Sequence, residues 1–238
     1  MELLGMVLRK SARDVLAHPR EVVGTSLFAS LPFLLIGGGP FVPRPLGPAL
    51  IAGGWLLLGP IAAAAWEAAL AVVEGRQTAL WKGLRCHLIS GLFFFALNAL
   101  AVLLIVANFR FYITSPAEIL RSPLLPFLPG LTLGAFFGLL WLYALALWGL
   151  LQLYALPLVL IRHVGVLEGL RTAGVLVLKN VGFSIGLAVV AFLLLGVLLL
   201  TGVGALLLAG GALGVLTVNA TKALLATTTG PLDLPAGY

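Results

Sequence analysis

The sequence predicts an all-α, polytopic membrane bundle of about six spans, preceded by an N-terminal amphipathic helix lying in the interface. Three observations predict it. First, 61% of the 238 residues are hydrophobic and only 9% charged, with mean hydropathy +1.16, more apolar surface than one water-soluble core of this size can hide. Second, five charge-free runs (Val22 to Pro43, Pro45 to Trp66, Cys86 to Phe109, Ser122 to Ile161 and Asn180 to Thr221) each reach the roughly 20 residues a bilayer crossing needs. Third, folding the last run, 42 residues, as a hairpin about Thr201 to Gly204 puts eleven of the fourteen Lys and Arg residues on one side. By the positive-inside rule that side is the cytoplasm, and both termini share it. Only Arg44, Arg110 and Arg121 then face out.

The elements follow in order. Leu4, Leu8, Ala12 and Val15 recur at helical spacing, opposite Arg9, Lys10, Arg13 and Asp14, so residues 1–20 read as the in-plane helix, ending near His18 and Pro19. The same charges interrupt any signal-peptide core, and no cleavage is expected. Residues 21–226 form the membrane domain and 227–238 a short cytoplasmic tail. The first span runs from Val22 to Gly39, where glycines and Pro40, Pro43, Pro45 and Pro48 stop it. The second, Ala49 to Val73, contains Gly59 and Pro60, a candidate kink, because proline removes one helical hydrogen bond. The 40-residue run from Ser122 to Ile161 could hold two crossings, but splitting it leaves seven basic residues per side, so charge favours one long helix from Gly130 to Ile161. Gly83-Leu84-Arg85 and Gly169-Leu170-Arg171 faintly echo each other before the third and fifth spans.

Charge also limits partners. The net charge of +6 is dispersed in short segments beside spans, which argues against nucleic acid and for membrane lipids. Arg76, Lys82, Arg85, Arg162 and Arg171 on the inner loops are the candidate lipid or partner contacts. The single cysteine, Cys86, permits no internal disulfide. Ten Arg against four Lys, with abundant Leu and Ala, suggest a GC-rich bacterial source and hence the bacterial cytoplasmic membrane.

Four polar residues fall within spans and form a candidate site: Glu67, Asn98, Gln152 and Asn219. Glu67 shares a stripe with Gly59, Ala63 and Ala71, small residues that let helices approach, so it should face protein. It reads either as a proton or cation site or as a structural carboxylate bonded to a neighbouring helix or to Lys222. The amides could line a cavity with it, or make interhelical hydrogen bonds worth about 0.6 kcal/mol each. Gly182-Phe183-Ser184-Ile185-Gly186 matches the nucleophile-elbow pattern G-x-S-x-G, but the elbow needs a strand-to-helix turn and a base, whereas this stretch lies in a span without histidine. His18, His87 and His163 fall at span boundaries without metal-ligand spacing. Asn219-Ala220-Thr221 is a sequon on the wrong side for glycosylation. No phosphate-binding loop occurs. No catalytic residue, cofactor or metal is therefore expected.

Leu31-Pro32, then Gly59-Pro60-Ile61-Ala62-Ala63-Ala64-Ala65, then Glu74-Gly75-Arg76 and Trp81 before the third span resemble the YesL family over roughly Val22 to Val181. Its members are small bacterial membrane proteins, often encoded beside carbohydrate ABC importers. The resemblance implies a non-enzymatic accessory subunit of a transport system, with ABC permease chains as partners. The alternative from the residues is a stand-alone small-solute or proton-coupled transporter with Glu67 in the path.

Overall fold

The computed structural model describes residues 2–77, 80–114, 132–201 and 204–228. Among them are eight α-helices and no strand: α1 Glu2–Ala17, α2 Pro19–Gly38, α3 Leu46–Val73, α4 Leu80–Thr114, α5 Leu133–Arg162, α6 Val166–Lys179, α7 Val181–Leu200 and α8 Gly210–Thr228. Six, all but α1 and α6, are long and apolar enough to cross a bilayer, which makes this an integral membrane protein. Leu133–Arg162 is a single helix through Pro157, the one crossing that charge asymmetry favours over two. Arg121, Gly130 and the residues 229–238 of the expected tail lie outside the described residues.

Local chemistry sets the ends. Pro19 opens α2, where its missing N–H costs nothing. Gly75, at φ +65°, closes α3: its N–H donates to the Val72 carbonyl and that of Arg76 to the Ala71 carbonyl, a Schellman cap that the absent Cβ permits. A π-helical turn, Ala205–Ala209, leads into α8, and residues 202–203 of the expected hairpin lie outside the described residues.

Two readings need correction. The α1 face that packs carries Leu4, Val7 and Ser11, and Asp14 on the same face bonds Asn219, while Ala12 is exposed. Asp14 is thus on the protein-facing side, and apolarity alone misplaced the stripe by about one residue. Second, α6 was expected as part of an inner loop. Its buried Val166, Gly169, Ala173, Leu176 and Val177 recur at three- and four-residue spacing, so it is a second short amphipathic helix.

Contacts divide the chain into two compact units: Met1–Phe93 with Leu151–Tyr238, and Phe94–Leu150. In the first, small residues bring α2, α3 and α8 together. A Cβ on Gly54 would lie 2.8 Å from the Pro32 carbonyl oxygen, one on Gly211 would strike the Val22 carbonyl oxygen, and one on Gly214 would lie 2.8 Å from the Ala69 Cβ. The Gly211 N–H donates to Ser26 Oγ at 2.7 Å. Here packing and short-range polar contacts hold the helices, because lipid supplies no hydrophobic drive between them. In the second unit, Tyr112 stacks on Phe137 at 5.1 Å and Gly138 meets the Ile113 side chain.

Candidate functional site

The second span ends where the third begins, and there α3 and α4 enclose a cleft of about 170 Å3. Its polar wall is Glu67, Arg76, Gln77, Lys82, Cys86 and His87. Helical spacing places Glu67 and Ala71 one turn apart on α3, while Lys82, Cys86 and His87 come from the first turns of α4. Close approach is possible because Gly83 faces Ala64 and the Glu67 Cγ, both about 3.6 Å from where its Cβ would be. One helix-face further on, Gly91 sits against Gly59 and Pro60, with its Cβ position 2.8 Å from their backbone atoms. The candidate kink is therefore also a helix crossing.

Glu67 Oε2 lies 3.8 Å from His87 Nε2, with both side chains about a quarter exposed (27% and 23%). The expected structural partner Lys222 instead bonds Glu74 at 2.7 Å. His87, expected at a boundary, lies within α4, whose first turns extend beyond the charge-free run to include Lys82 and Arg85. Glu74 also pairs with Arg76. Burial alone would push the Glu74 carboxyl up, but hydrogen bonds and charge from Lys222 and Arg76 outweigh it and hold the group below its ordinary value. The bond ties the ends of α3 and α8 together, as alternating spans require.

The four predicted intramembrane residues have different surroundings. The cleft beside Glu67 is lined by neither Gln152 nor Asn219. Asn219, 3% exposed, donates from Nδ2 to Asp14 at 2.8 Å and Ser11 at 3.3 Å, so α1 is its neighbour. Gln152 keeps a buried Nε2 without an acceptor among the described residues. Asn98, in the second unit, donates to the Phe94 carbonyl at 2.8 Å and accepts from Trp148 Nε1 at 3.0 Å. The interhelical hydrogen bond is the role its geometry gives it.

Of the candidate surface contacts, Arg76 and Lys82 border the cleft, and Arg85, Arg162 and Arg171 are exposed. Ser184 is fully buried on α7 and accepts from the Tyr154 hydroxyl at 3.1 Å, a helix-packing bond with no strand-to-helix turn beside it. No group of three His, Cys, Asp or Glu among the described residues could hold a metal ion. Sequence reasoning missed the Lys222–Glu74 pair and the bond from Trp66 Nε1 to Thr217 Oγ1 at 2.9 Å. These link residues 148 and 151 positions apart, and only helix packing order brings them together. No family model, curated protein or solved structure matches this chain.

Proposed function

We propose that this protein is a non-enzymatic accessory subunit of a bacterial transport system, seated in the cytoplasmic membrane with both termini inside. The observation that carries the reading is that polar side chains on most of the spans are paired across helices. Trp66 is bonded to Thr217, Tyr154 to Ser184, Asn98 to Trp148, and Asn219 to Asp14 and Ser11. A translocation path needs polar groups that can exchange partners with a moving solute. Here these groups are engaged in joining helices, which suits a scaffold that acts through its surface. The resemblance of Gly59-Pro60 and its alanine run to the YesL family adds the expectation of ABC permease partners, and the skew of basic residues supports the orientation.

Affinity purification from the native host in mild detergent tests it. Permease and ATPase chains should be retained in near-equal amounts with this protein, and recovery of the protein alone would count against the accessory role.

One observation favours a second reading, a stand-alone small-solute or proton-coupled transporter: Glu67, Lys82 and His87 converge on an open cleft. Glu67→Gln separates the two. A transporter loses flux in proteoliposomes while its melting in detergent is unchanged, whereas an accessory subunit has no flux of its own to lose and keeps its partners.

A further inference from the structure

A second groove, about 310 Å3, lies between α1 and α8. Leu3, Met6, Val7 and Ala223 supply apolar wall, and Lys10, Lys222 and Asn219 supply the polar groups. From these we infer a binding site for one anionic phospholipid, with its phosphate at the two ammonium groups and the start of an acyl chain along Leu3, Met6 and Val7.

Position, charge and an unmet hydrogen bond converge on that occupant. The groove is at the end of a membrane span, since α8 closes at Thr228 and α1 is a short amphipathic helix packed beside it. Headgroups and the first methylenes lie at this depth. Lys10 is exposed and has no ion pair among the described residues. Lys222 already bonds Glu74, but an ammonium has three donors and can serve a phosphate as well. Among the described residues, the two lysines are the only charged ones lining the groove. Of the carboxylates bonded to lining residues, Glu74 is held by Lys222 and Asp14 accepts from Asn219. A soluble anion would leave Leu3, Met6 and Val7 unused, and an uncharged lipid would leave Lys10 unused.

Asn219 gives the independent indication. Its Nδ2 is committed to Asp14 and Ser11, which fixes the amide orientation and leaves Oδ1 buried with no donor among the described residues. A buried acceptor without a donor costs stability, and a headgroup hydroxyl would supply one. Phosphatidylglycerol joins phosphate, hydroxyls and acyl chains in one molecule. The site does not depend on the accessory role, because it draws on neither the Glu67 cleft nor a protein partner.

The test is native mass spectrometry of the delipidated full chain in detergent, titrated with phosphatidylglycerol, with phosphatidylcholine of the same chains, and with glycerol phosphate. One phosphatidylglycerol should be retained in preference to phosphatidylcholine, and glycerol phosphate should not be retained. Lys10→Gln should weaken retention about fivefold, the equivalent of the ~1 kcal/mol one Lys contributes near an anionic lipid surface. Met6→Ser should weaken it too, and both side chains are exposed enough for the variants to fold. Arg9→Gln, an exposed change on the same helix outside the groove, should leave it unchanged. Equal retention of both lipids, equal loss in Arg9→Gln and Lys10→Gln, or tight binding of glycerol phosphate would each overturn the site; the last would make it a soluble-anion site.

Discussion

The second and third spans are similar in apolarity and opposite in packing. In the most apolar stretch of each, 61% of α3 is buried within the protein but only 11% of α4. The α3 sequence explains the difference: from Gly59 to Ala71 eight of thirteen residues are glycine or alanine, so neighbouring backbones touch it. Beyond Gly91, α4 carries Phe93, Leu100, Leu103, Leu104 and Val106, large side chains that remain exposed and meet lipid. The same contrast separates the two units. The first brings backbone against backbone at Gly54, Gly91 and Gly211, whereas the contacts described in the second are made by aromatic rings, the Ile113 side chain and the Trp148–Asn98 hydrogen bond.

The sharpest way to break this comparison is Gly91→Ala. Its new Cβ would meet the Gly59 carbonyl oxygen and the Pro60 N and Cα, all at 2.8 Å and all backbone, so nothing can rotate aside. A cost of about 3 kcal/mol is expected, at the upper end of overpacking. Denaturant titration of the purified protein in mild detergent would measure it. A loss near zero would mean that α3 and α4 can separate at Pro60 without penalty.

Smaller effects should distinguish the two tryptophan bonds. Trp66→Phe removes the indole donor, but Thr217 still donates to its own helix, to the Leu213 or Gly214 carbonyl, so about 0.6 kcal/mol is expected. Trp148→Phe leaves Asn98 Oδ1 without its donor, and about 1 kcal/mol is expected, given that Asn98 is only partly buried. Equal losses, read from the same titrations, would show that the second unit does not lean on its hydrogen bond.

Much of this architecture is legible along the chain because membrane spans announce themselves by length and absence of charge. The single long α5 follows from charge asymmetry, and the burial of Gly59, Ala63 and Ala71 follows from their four-residue spacing. The site is less legible. Glu67 was found because an intramembrane carboxylate stands out, but its neighbour His87 lies 20 positions away on a helix whose rotation no single-sequence pattern gives. Asp14 was misassigned because a charged residue on an amphipathic helix is read as outward, and its bond to Asn219 crosses 205 positions. α6 was missed because Arg162 and Arg171 drew the segment into a loop, although its apolar spacing is visible.

The least disturbing change, and the closest control for Gly91→Ala, is Gly138→Ala in the second unit. The new Cβ would come 2.7 Å from Ile113 Cδ1 and 3.0 Å from its Cγ1, a contact as short as the one at Gly91. The difference lies in what is struck. Ile113 is 52% exposed and presents the end of a side chain, which can turn away into lipid. Alanine also favours the helix over glycine by about 0.5–1 kcal/mol, which offsets the rotamer cost. Stability should therefore change by less than about 0.5 kcal/mol in either direction. A loss matching that of Gly91→Ala would mean that distance alone governs both crossings, and the division between a rigid backbone contact and a yielding side-chain contact would fail.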